Sequence, residues 1–148
     1  MARAVLTYKD YEALPADGRR YEIHDGGLSV TPAPSPQRQS VTRNLFRVVD
    51  AHVRAKAIGE VWFAPLDVIF SETSIVQPDI IYLASSRLGA VSRRGIEGPP
   101  TLAVEVLSPS TMTIDRETKH QLYARYGVPH FWLVDPAART IEAFVLGP

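Results

Sequence analysis

The chain has 148 residues, 45% of them hydrophobic, with sixteen basic side chains matched by sixteen acidic ones and no cysteine. That size and balance suit a single globular domain that folds on its own core, and the missing cysteine excludes disulfides, thiolate zinc sites and thiol nucleophiles. A formal charge of zero gives no whole-molecule pull towards nucleic acid or anionic lipid; no stretch approaches the roughly 18 apolar residues of a membrane span, and "MARAVLTYKDYEAL" meets charge too early for a signal peptide, so a cytoplasmic protein is expected.

Thr7 is placed to cap a short helix running to about Leu14, and "YEIHDGGLSV" then reads as two strands around the turn signal Asp25-Gly26-Gly27. The proline-rich "TPAPSPQ" is a connector. Ser35 as N-cap with Pro36 behind it opens a longer helix, in which Val41, Leu45, Val48, Val49 and His52 recur at helical spacing and Gly59 marks the end. Short β-branched and aromatic runs follow: "EVWFAPLDVIF", "SIVQPDIIYL", a polar loop "SSRLGAVSRRGIEGP", and "TLAVEVLS". "TIDRETKHQLYARYG" returns to helical spacing and stops at Gly127, before the final strands "HFWLVD" and "TIEAFVL". This order implies an α/β fold, a mixed sheet with helices against it. It divides into an N-terminal helix and hairpin over residues 1–34, a core over 35–135 and a last strand over 136–148. The last strand leaves an edge that a second copy would cover, so a homodimer is expected.

Three charged residues stand where apolar ones are expected. In "TLAVEVLS" both faces of the strand are apolar apart from Glu105. An ionised carboxylate there needs a partner or must stay protonated. In "VQPDIIYL", Asp79 follows Pro78, which suits a strand's first position, and precedes Ile80 and Ile81; an ordinary turn aspartate would satisfy the same pattern. Lys119 begins the apolar stripe Leu122, Tyr123 and Tyr126, although an intrahelical pair with Asp115 would explain it equally. Two carboxylates on neighbouring buried strands ionise together only with a cation between them. Mg²⁺ suits that role, because it takes a few carboxylates, water and phosphate oxygens. A nearby lysine would then assist the attacking water in phosphodiester hydrolysis.

The segments "YEIHDGGL", "SPQRQS", "PLDVIF", "QPDIIYL", "PPTLAVEVLSPST" and "DRETKHQLYARYGVPHFWLVDP" resemble the Uma-two family of the PD-(D/E)XK superfamily of restriction-endonuclease-like nucleases, from about Tyr8 to Leu146. Pro78-Asp79 looks like the "PD" of that motif and Glu105 like its "(D/E)". Leu107 stands where the motif's lysine falls, and the resemblance gives that role to Lys119 on the following helix. It adds Glu22 to the metal site or its surroundings, and notes Arg38 where relatives often carry histidine. Its implications are a Mg²⁺-dependent endonuclease acting on DNA, Mn²⁺ being a possible substitute, with Asp79, Glu105 and Lys119 catalytic. Arg38, Arg93 and Arg94 are the candidate nucleic-acid contacts; the two loop arginines are equally an ordinary exposed pair. The rival expectation is a catalytically inactive module of the same fold that forms homodimers or binds nucleic acid.

Overall fold

The computed structural model describes residues 4–147. Its eleven strands form two mixed sheets. One has the order β11-β10-β9-β6-β3, built from Thr140–Val145, His130–Asp135, Leu102–Val106, Ile80–Ala84 and Gly59–Phe63. In it β9 and β10 run parallel and the other pairs antiparallel. The second has the order β2-β1-β5-β4-β8-β7, built from Gly27–Thr31, Arg20–His24, Ser74–Val76, Val68–Ser71, Gly95–Glu97 and Val91–Ser92.

Helix α1 (Tyr8–Glu12) is short, and α2 (Pro36–Lys56) is the long one. Ser35 caps α2 by accepting a hydrogen bond from the Arg38 amide at 3.2 Å, with proline in the first turn. Ala57, in the left-handed conformation, closes the helix, and Gly59 opens β3 with φ +148°. The next helical segment begins as a π-helix over Ile114–Lys119 and continues as α3 (His120–Arg125).

β9 is buried at all five positions and splits the core in two. Leu102, Val104 and Val106 turn towards α2 and meet Val53, Val61 and Ile80. Ala103 lies on the other side with Leu107, packed with Val68, Leu122, Tyr123 and Leu133 between the second sheet and α3. Each buried aliphatic side chain contributes roughly 1.5–3 kcal/mol. Glu105 projects into this second layer at 1% exposure.

Three expectations about the fold are corrected. The strands divide between two sheets instead of sharing one: the run "EVWFAPLDVIF" breaks at Ala64-Pro65 and "SIVQPDIIYL" at Pro78, so the chain changes sheet at each proline, a residue that cannot donate to a ladder. On α2, Val48 is 68% exposed and His52 is also exposed, because the packed stripe is Val41, Leu45, Phe46, Val49 and Val53, one residue off the expected pair. The polar loop holds a 3₁₀ turn (Ser85–Ala90) and the small hairpin β7–β8.

Candidate active site

Asp79 is the residue that enters β6. Its amide donates to the Val104 carbonyl at 2.9 Å and its Oδ2 accepts the Val106 amide at 2.6 Å. The residue thus bonds both backbone neighbours of Glu105 and lies alongside it. Arg20 Nη1 reaches Asp79 Oδ1 at 2.9 Å, and Arg38 Nη2 reaches Oδ1 and Oδ2 at 3.2 and 3.0 Å. Arg20 also donates to the Gln77 carbonyl.

The Lys119 ammonium lies between two acids, 2.5 and 2.8 Å from the Glu105 oxygens and 2.9 Å from Glu22 Oε2. Glu22 further accepts the Gln77 amide at 2.5 Å and contacts His24 Nε2 at 3.1 Å. Tyr123 donates to Glu105 Oε1 at 3.1 Å. The fold therefore brings Glu22, Asp79, Glu105 and Lys119 together from β1, β6, β9 and the π-helix, each buried. Of the two open explanations for Lys119, the pair with Asp115 fails: no hydrogen bond or ion pair joins them among the described residues, and the lysine turns inward. Asp79 is likewise no turn aspartate, since its carboxylate is fully engaged inside.

Three members of the cluster were not expected. Arg20 lies two residues before Glu22 on one strand, hence on the same face, a signal that strand alternation carries. Tyr123 falls four residues after Lys119, on the same helical face. Asp115 is 3% exposed, and its Oδ2 has no hydrogen-bond partner. A cavity of about 10 Å³, about the size of one water, is lined by Asp115, Glu22, Glu105, Lys119, Arg20 and Arg38.

Four buried acids thus face two buried cations, Arg38 and Lys119, and the half-buried Arg20, with the His24 imidazole 3.1 Å from Glu22. Titration reflects the imbalance. Burial, reinforced by Asp115, Asp79 and Glu22, pushes Glu105 up to about 8 despite Lys119. Burial raises Asp115 too. Glu22 behaves oppositely: burial works against its charge, but Lys119 and His24 hold it well below the usual carboxylate range. For Lys119, burial is outweighed by Glu105, Glu22 and Asp115, which raise it.

Among the described residues no three histidine or acidic side chains stand ready as metal ligands. The donor chemistry nonetheless fits a hard cation: the donors are carboxylate oxygens, with negative charge in excess. In this structure the protein's own Lys119, Arg20 and Arg38 contact the carboxylates of Glu22, Glu105 and Asp79, while Asp115 Oδ2 has no hydrogen-bond partner.

The candidate nucleic-acid contacts separate. Arg38 is 6% exposed and belongs to the cluster. Arg93 and Arg94 lie in the β7–β8 turn and line neither cavity described here; Arg94 pairs with Glu72 and Glu97 and stacks on Tyr8 at 4.2 Å, while Arg93 is exposed. Asp79, Arg20 and Arg38 also line a second, larger cleft of about 940 Å³ between α1, β1, α2 and β3.

Two mixed sheets flanked by helices, with Pro78-Asp79 at the entrance to β6, give an α/β fold of the restriction-endonuclease-like class. The fold agrees with a crystal structure of a "putative nuclease belonging to DUF820" from Anabaena variabilis, at a TM-score of 0.78 and 20% identity, over 97% of this chain and 81% of that one. Residues 8–147 match the Uma2 family, described as "putative restriction endonuclease", and the chain belongs to that family. No curated protein matches it. No helix among the described residues is long and apolar enough to cross a membrane.

Proposed function

We propose that this protein is a Mg²⁺-dependent endonuclease that hydrolyses phosphodiester bonds in DNA. The observation that supports it best is the buried cluster with four acids against three fixed cations, which accepts one more positive charge. Asp79 and Glu105 would hold the ion, with Glu22 beside them. When bound, Mg²⁺, or Mn²⁺ in its place, supplies polarisation of a phosphate oxygen and a more acidic water.

The chain's own groups supply the rest. Lys119, charged and held at Glu105, offers an ammonium to the developing phosphate charge. Arg20 and Arg38 present guanidinium groups at the cleft, where a phosphate diester is matched by their planar donors. Its place beside Glu105 also suits Lys119 to orient the attacking water. Pairing of a second copy along β11, where Ile141 and Val145 are exposed, is the route to a homodimer.

One observation favours the inactive-module reading: every carboxylate oxygen of Asp79 and Glu105 already has a protein donor. A cation titration separates the two. Under the nuclease reading, Mn²⁺ or Mg²⁺ raises the melting temperature of the wild type but not of Glu105→Gln, and divalent-dependent cleavage of DNA disappears in that variant. If neither protein responds and Glu105→Gln is as stable as wild type, the acid is structural and the module reading takes over.

A further inference from the structure

The larger cleft differs in chemistry from the acid cluster beneath it. Phe46 from α2 and Phe63 at the end of β3 meet edge to face in its wall, ring centroids 4.9 Å apart at 77°, and Tyr21 lines it as well. Phe63 is 59% exposed. An open phenyl ring gains nothing from water. Two perpendicular rings form a corner in which a flat ring stacks on one and meets the other edge-on. Arg43 lies at the same cleft, and Arg20, Arg38 and Asp79 connect it to the cluster.

Duplex binding is dominated by cations neutralising phosphates over a broad face, and several arginines outside the cleft are already committed. Arg54, Arg94, Arg116 and Arg125 are each paired with a carboxylate of this chain. The formal charge is zero. Single-strand binders rely instead on stacking platforms beside a basic groove. A volume of about 940 Å³ lies at the upper end of small-ligand sites. It suits a few unpaired nucleotides better than the broad face of a double helix.

We propose that this cleft binds unpaired nucleotides of single-stranded DNA, a base stacking on Phe63 and Phe46 while the backbone phosphate meets Arg38 and Arg20 at the entrance to the acid cluster. The inference rests on the nucleic-acid reading above and narrows its substrate to single strands or to bases drawn out of a duplex.

The test is fluorescence anisotropy at one stated salt concentration with EDTA present, so that binding is read without cleavage. The probes are a labelled oligothymidylate of about 12 nucleotides and a duplex of equal length. The proteins are wild type, Phe63→Ala, Phe63→Tyr and Phe63→Leu, each checked for an unchanged melting temperature. The expected result is single-strand binding at least about tenfold tighter than duplex binding. Phe63→Ala and Phe63→Leu lose about tenfold and Phe63→Tyr retains affinity, as stacking on a flat ring requires. Equal or tighter duplex binding, no binding of either probe, or indifference to Phe63→Ala overturns the inference. Cleavage assayed separately with Mn²⁺ keeps the two readings apart. Duplex cleavage without strand preference sinks this inference and leaves the nuclease standing. Single-strand binding without cleavage does the reverse.

Discussion

Replacing Lys119 by methionine keeps most of the side chain's apolar stem and removes the cation that touches both Glu22 and Glu105. The variant leaves four buried acids against two arginines. Breaking a buried pair by deleting one partner costs about 3–5 kcal/mol, a large share of the roughly 5–15 kcal/mol that holds a domain together. For a chain of this length each kcal/mol moves the melting temperature by roughly 2–4 °C, so a drop of about 10 °C is expected by calorimetry. The loss should depend on pH. Lys119 is raised from its ordinary 10.5 and stays charged throughout the range from 5 to 8, so the trend comes from the carboxylates. Glu22, held low in the wild type, contributes stability that is present above its ordinary value and lost as pH falls. Without the lysine the acids take up protons more readily. Their protonation relieves the repulsion near pH 5, and the deficit is larger at pH 8. Mn²⁺ should recover part of it by standing in for the ammonium. A loss below about 1 kcal/mol, the value of an exposed pair, or an identical loss at both pH values would refute the view of Lys119 as the charge that holds the cluster together.

The wild type should itself lose stability as pH rises from about 5 towards 8. Glu105 binds a proton in the folded state with a value of about 8 that the unfolded chain releases near 4.5, and Glu105→Gln should flatten the slope in thermal melts. Tyr123→Phe deletes the donor to Glu105 Oε1 and should cost about 1 kcal/mol in urea denaturation, with no change in the m-value. Gly59→Ala should be severe, on the order of 3 kcal/mol: φ is +148° and the new Cβ would lie 2.0 Å from the Leu83 carbonyl oxygen, across the β3–β6 pair. A variant that melts like wild type would show that β3 shifts to make room.

Much of this was legible along the chain. Alternation in "TLAVEVLS" puts Glu105 opposite Val104 and Val106 in facing direction, and the strand is buried at every position. Pro78, which lacks an amide donor, stands just before β6 and puts Asp79 at its mouth. Helical spacing puts Lys119 on the face of Leu122 and Tyr123. These are local rules of period and donor count, and a sequence carries them in full. The helix α2 was recognised by its cap and proline, but its packed stripe was misread by one residue, because neighbouring apolar positions compete for a face and only the opposing sheet chooses between them.

Partnership was beyond the sequence. Whether Lys119 would join Asp115 four residues away or Glu22 ninety-seven residues away depends on which carboxylate the fold brings within reach. In the π-helix over Ile114–Lys119 both Asp115 and Lys119 are buried, yet Asp115 Oδ2 has no hydrogen-bond partner while the ammonium reaches the sheets. Arg38 was read as a candidate nucleic-acid contact and Arg20 was not singled out, and their meeting on Asp79 comes from two sheets and a helix converging on one carboxylate. Spacing along a chain sets which way a side chain points. Burial, which weakens screening and makes each unpaired charge costly, sets which charges must find one another, and that is decided only when distant segments pack.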